Sequence, residues 1–190
     1  AFFLISGLVL PIGLWVIFDN AGYDLESAGV QSFLFLILTA VFGASYWLMK
    51  RDLVIFFSLV FGTSLFFSFT NFLVQGNPAL MREYHFTEYR SLLVGLSYMM
   101  LGYGLAKLNK HTMSGLLYAF GSLGFLGAAF SLGGYTPSQN VFWEILFPGL
   151  VFGVIFLSVY VKSKTFLVFG TLFLVAYIMK ITFEYFTEGL

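Results

Sequence analysis

Apolar residues run along this chain in long unbroken stretches, and polar ones gather in short connectors between them. A helix needs about 20 apolar residues to cross a hydrocarbon core of ~30 Å. Seven stretches approach that length: residues 1–18, 30–49, 53–74, 91–106, 112–133, 141–161 and 165–186. They are apolar at consecutive rather than alternate positions, which marks them as helices and not as the ~10-residue alternating strands of a membrane barrel. The expectation is an all-α polytopic transmembrane bundle of one helix followed by three hairpins, forming a single domain over residues 1–190. The fourth stretch is the shortest. Ala1 already lies inside an apolar run and Leu190 directly follows "TEG", so the native chain is expected to continue at both ends.

The connectors differ in charge, and cytoplasmic loops retain Lys and Arg. The second, fourth and sixth are short and basic: "MKRD" carries Lys50 and Arg51, "AKLNKHT" carries Lys107 and Lys110, and "VKSKT" carries Lys162 and Lys164. The first, "DNAGYDLESAG", holds Asp19, Asp24 and Glu26 without a base, and the fifth, "GGYTPSQN", is uncharged. The third, "QGNPALMREYHFTEYRS", balances Arg82 and Arg90 against Glu83 and Glu88. This alternation places the N-terminus in the cytoplasm and the C-terminus outside, in a cytoplasmic membrane of bacterial type. Trp15, Trp47 and Trp143 fall near helix ends, where interfacial tryptophans belong.

Composition agrees with this reading. With 59% hydrophobic and 9% charged residues, the chain lies far outside the balance of a water-soluble domain. Zero formal net charge gives no reason to expect a nucleic acid, so the expected partners are the lipid bilayer, other membrane-protein subunits and anionic lipid. The absence of cysteine excludes disulfides and thiolate sites.

Two further patterns concern packing. "LVFGTSLFF" at 59–67 matches "LVFGTLFLV" at 167–175, and "AFGSLGFLG" at 119–127 is a looser third copy, each in the helix that leaves a basic turn. A parallel repeat of hairpins would produce this. Gly149 and Gly153 form a GxxxG, and Gly115/Ala119, Gly124/Ala128 and Ser58/Gly62 are small pairs at the same spacing, the kind that lets helix backbones approach within a bundle.

Candidate chemistry collects on the outer side. On this topology the last helix starts near Thr165, which puts Lys180 ~22 Å up at 1.5 Å per residue. A lysine at that depth has two options: its stem carries the ammonium out to the surface, or a partner holds it inside. Tyr177, Lys180, Glu184 and Glu188 share one helical face, and Lys180 can pair with Glu184, although lysine before glutamate is the weaker order. Glu144 enters the sixth helix from the same side. Pro148, four residues on, has no N–H for the Glu144 carbonyl, so backbone there should be left unsatisfied. The third connector brings Arg82, His85 and Arg90 to this side as well.

Glu144, Tyr177, Lys180, Glu184, Arg82, His85 and Arg90 are therefore the candidate ligand- or partner-binding residues. Catalytic patterns are missing: there is no GxSxG or HExxH, and His85 and His111 fall on opposite sides, so neither a metal nor a cofactor is expected. A retinal-type lysine is not expected either, because Lys180 is near a helix end and "LVIFFSLVFGTSLFFSF" supplies no carboxylate counter-ion. The leading expectation is a non-enzymatic membrane component whose outer polar cluster binds a partner or a lipid headgroup. A small-molecule or ion transporter is the alternative, and a lipid-modifying enzyme the third.

Overall fold

The computed structural model describes residues 2–76, 85–135 and 140–187, with side chains omitted at 2–4, 185 and 187. Among the described residues it is all helical: α1 (Phe2–Asn20), α2 (Ala28–Met49), α3 (Asp52–Val74), α4 (Phe86–Lys107), α5 (His111–Gly133), α6 (Val141–Val161) and α7 (Lys164–Thr187). These coincide with the seven expected stretches to within a few residues, except that α4 begins five residues early and takes in "FTEYR". Five helices, α2, α3, α5, α6 and α7, are long and apolar enough to cross a bilayer, which makes the chain an integral membrane protein. In α1 the residues with described side chains, Ile5–Asn20, fall short of that length, and α4 is diluted by the polar residues of its first two turns.

The chain divides into two compact units, Ala1–Glu83 and Tyr84–Leu190. In the first, Ser27 caps α2 by accepting from the Val30 N–H at 3.3 Å. Lys50 adopts the left-handed conformation (φ 52°) to reverse the chain into α3, and its N–H closes the turn on the Tyr46 carbonyl. The hairpin core is Leu38, Phe42, Val54 and Phe61, with Phe42 and Phe61 stacked at 5.4 Å. α1 lies against this hairpin where Gly7 leaves room for the Phe57 ring.

In the second unit α5 is central and packs against α4, α6 and α7. The densest part is built from Leu126, Ala129, Phe147, Val151 and Phe166, all essentially inaccessible. α4 meets α5 at backbone distance. A Cβ on Gly95 would run into the Phe125 nitrogen, and one on Gly121 would come within 2.9 Å of the Gly95 carbonyl oxygen. Lipid offers backbone groups no hydrogen bonds and little incentive for apolar helices to associate, so such close approach, with its dispersion contacts, is what holds the pair. Several Ser and Thr hydroxyls in both units donate within their own helices, as in Thr39 to the Phe35 carbonyl, Ser97 to Leu93 and Thr171 to Leu167.

The glycines aligned by the sequence match do equivalent work. Gly62 in α3 faces Thr39 of α2, Gly121 in α5 faces α4, and Gly170 in α7 faces Ile155 of α6, so each looks at the helix before it in its hairpin. The small-residue pairs fare unevenly. Gly62 and Gly124 do face neighbours, but Gly115, Gly149 and Gly153 meet nothing within 4 Å. The GxxxG of α6 is thus not a packing seam of this unit. It lies on a face of α6 that no other described helix of this unit covers, and sequence spacing alone carries no information about which face that is.

Candidate functional site

α5 ends, and α6 begins, at the same end of the second unit, and the Asn140 N–H donating to the Gly133 carbonyl at 3.0 Å ties them together. Glu144 is therefore one turn inside α6. Because α7 returns antiparallel to α6, Tyr177, Lys180 and Glu184 come level with it. The Lys180 Nζ stands 3.6 Å from Glu144 Oε1 and 3.9 Å from Glu184 Oε2, with the three side chains 3%, 10% and 8% exposed. Of the two options open to this lysine, the structure adopts the inner one: the ammonium is held inside the bundle.

Pro148 has the consequence expected of it. α6 continues through the proline, and the carbonyl of Glu144 accepts instead from the Tyr177 hydroxyl at 3.1 Å. A backbone acceptor released by one helix is satisfied by a side chain of the next, which is how membrane helices tolerate proline. The same interaction fixes the height of α7 against α6.

Three residues join the cluster that its sequence pattern did not reveal. The Lys180 ammonium lies 5.3 Å from the Tyr135 ring centroid and 5.9 Å from that of Phe130, within range of the attraction between a cation and a ring face. A Cβ on Gly133 would sit 3.5 Å from Nζ, so glycine there leaves the ammonium its place. Gly133 is also the last residue of α5, and the negative end of a helix dipole favours a cation. The signal was one of level rather than motif: residues in the last turn of α5 have to stand beside those in the first turn of α6.

Among the described residues, two buried carboxylates face the Lys180 ammonium. Both ion pairs exceed hydrogen-bond length, and Glu144 Oε1 is buried with no hydrogen-bond partner. Mutual attraction in such a site is largely offset by the cost of taking the charges out of water, so the cluster fixes geometry more than it adds stability.

Two of the remaining candidates belong to the start of α4. His85, left-handed at φ 48°, is exposed at the start of α4, with Nδ1 3.8 Å from Glu88. Arg90 is buried, donates to the Thr87 hydroxyl at 3.3 Å and lies 4.5 Å over the Phe86 ring. Burial lowers the pKa of its guanidinium, which remains charged all the same. α4 is linked to the start of α6 beside Glu144 through Trp143, whose indole N–H donates to the Tyr89 hydroxyl at 3.4 Å. Arg82 and Glu188 lie outside the described residues. Comparison with protein families, with curated proteins and with solved structures finds no match, so what this site does has to be read from its own chemistry.

Proposed function

We propose that the protein is a non-enzymatic component of a membrane assembly, and that Glu144, Tyr177, Lys180 and Glu184 fix its last hairpin so that the outer end presents a rigid docking place to another membrane-protein subunit. The observation that carries this is the enclosed Lys180: its charge is answered by two carboxylates from within the chain, which leaves an anionic headgroup little to bind there. Around the cluster, Ile145 and Phe183 are exposed and apolar, the kind of rim a membrane subunit covers. His85, exposed at the start of α4, adds a polar contact at the same end.

A transport route finds less support. Among the described residues, no acid or base lies on α4–α7 between this cluster and the basic turns at the other end, so nothing continues a polar path through the membrane. The test is native mass spectrometry of the full-length protein gently extracted from its own membrane, with Lys180→Met beside it. The expected result is a stoichiometric protein partner, lost in the variant together with thermal stability. If Lys180→Met with Glu144→Gln changed neither stability nor bound protein, the proposal would fail.

A further inference from the structure

The opposite end of the second unit is built differently. Near the charge cluster α4 and α6 are linked through Tyr89 and Trp143, but towards the α4–α5 and α6–α7 turns a cavity of about 380 Å³ opens between them over the surface of α5. Met100 and Tyr103 of α4, Tyr118 of α5, Leu157 and Tyr160 of α6 and Phe166 of α7 form its wall. The volume lies within the range of small-ligand sites, and none of these residues is charged. Met100 and Tyr160 are largely exposed, so the mouth opens sideways, to the hydrocarbon that surrounds membrane-spanning helices.

One group on this wall lacks what its surroundings should supply. The ring of Tyr118 is fixed between Gly102, where a Cβ would come within 2.8 Å of it, and Phe166 at 4.4 Å. Tyr118 is 3% exposed, and its hydroxyl is buried with no hydrogen-bond partner. Tyr103 and Tyr160 are exposed residues at the mouth, so among these wall residues Tyr118 alone brings an enclosed donor. A buried donor left unused costs free energy, and an acceptor carried in by a ligand relieves that cost. Water is poorly suited to the task, because a buried water needs about two to four polar partners and this wall offers one. The ring also has a defined depth. Gly102 lies five residues before the end of α4 and Phe166 two residues after the start of α7, so Tyr118 meets them about one helical turn, ~5 Å, inside the helix ends. That is the edge of the hydrocarbon layer, where the ester groups of membrane lipids lie.

We infer that this cavity seats one acyl chain of a membrane glycerolipid, whose ester carbonyl accepts from the Tyr118 hydroxyl. Other apolar molecules fit the wall less well. A hydrocarbon chain without a carbonyl leaves the hydroxyl unused, and a quinone brings a second carbonyl for which these residues hold no enclosed donor. A free fatty acid would set a carboxylate among uncharged side chains, at a high cost in desolvation. The headgroup stays outside the mouth, so selection falls on the ester and not on headgroup charge. The bound chain fills the cleft where α4 and α6 separate, and so braces the hairpins at the end remote from Lys180.

The experiment is native mass spectrometry of the full-length protein in mixed micelles, titrated with dioleoyl phosphatidylcholine or with its dioleyl ether analogue, which has the same headgroup and chain length but no carbonyl. One neutral hydrogen bond is worth on the order of fivefold in affinity, so wild type should retain the ester lipid severalfold better. Tyr118→Phe removes only an oxygen without a partner. It should leave the melting temperature unchanged and bring retention of the ester lipid down to that of the ether. Met100→Trp, which fills the mouth from an exposed position, should lower retention of both lipids severalfold. Equal retention of the two lipids by wild type would overturn the inference, and so would an ester preference that survives in Tyr118→Phe. Wild-type retention by Met100→Trp would overturn it as well, being the sign of unspecific lipid around the helices.

Discussion

The α4–α5 seam and the α6–α7 seam solve one problem by opposite means. α4 and α5 touch through absent side chains, with Gly95 and Gly121 letting the two backbones meet. α6 and α7 stay further apart for much of their length. At one end they are joined by Lys180 to Glu144 and by the Tyr177 hydroxyl to the Glu144 carbonyl. Between apolar helices in lipid, hydrophobic burial contributes little, so a seam needs either close dispersion contact or a polar link. The two kinds fail differently. A glycine seam is broken by adding atoms to it, whereas a polar link is broken by removing one partner and can be replaced by removing all of them.

The largest effect should follow from that last distinction. Lys180→Met leaves the carboxylates of Glu144 and Glu184 buried beside a thioether, and breaking a buried pair from one side costs about 3–5 kcal/mol. A melting temperature lower by several degrees in detergent is expected. Adding Glu144→Gln and Glu184→Gln removes the buried charges that faced Lys180 and should recover most of the lost stability. If the triple variant melts no higher than Lys180→Met alone, the cluster is not an electrostatic unit.

Gly95→Ala comes next. The new methyl would meet the Phe125 backbone nitrogen and the Gly121 carbonyl oxygen, which cannot rotate away, so the α4–α5 seam has to open. Overpacking of this kind costs about 1–3 kcal/mol. Gly170→Ala is the milder comparison: its nearest neighbour is the Ile155 side chain, which has to shift, but the nearest backbone atom stands at 3.6 Å. Thermal melting that ranks Gly170→Ala below Gly95→Ala in stability would contradict the backbone contact.

Much of this was legible in the sequence, and what was not has a common cause. Helix positions follow from uninterrupted apolarity, a local property. Pro148 announces an orphaned carbonyl at Glu144 from chemistry within one turn, and the structure supplies its donor from Tyr177. The face shared by Tyr177, Lys180 and Glu184 is likewise set by helical period. Phe130, Gly133 and Tyr135 were not legible as members of the cluster, because they belong to it only through the packing of α5 against α7. Gly95 escaped notice for the same reason: Ser91 stands four residues before it, but that spacing does not say which small pair meets a second backbone. Rotation of a helix about its axis is a tertiary fact, and single-chain spacing does not encode it.

Tyr177→Phe should have a smaller effect, about 1 kcal/mol, since it removes a single hydrogen bond to a carbonyl that the helix itself cannot satisfy. The cycle with Pro148→Ala sharpens the point. Alanine restores the N–H at position 148, which returns the Glu144 carbonyl to its ordinary helical donor. Tyr177→Phe should then cost measurably less in the Pro148→Ala background than in wild type. Equal costs in the two backgrounds would mean that the hydroxyl does not serve this carbonyl.

The smallest effect should come from the most conspicuous motif. Gly149 and Gly153 meet nothing within 4 Å, so Gly149→Ala with Gly153→Ala adds two methyl groups to an uncovered face of α6. Alanine also favours a helix over glycine by roughly 1 kcal/mol at an interior site, so stability should stay level or rise slightly. A clear loss in thermal melting would mean that the unit is packed around α6 more tightly than the α6–α7 seam implies. An unchanged melt would show that the spacing of small residues matters only where a second backbone stands opposite, as Gly121 stands opposite Gly95 and Gly153 does not.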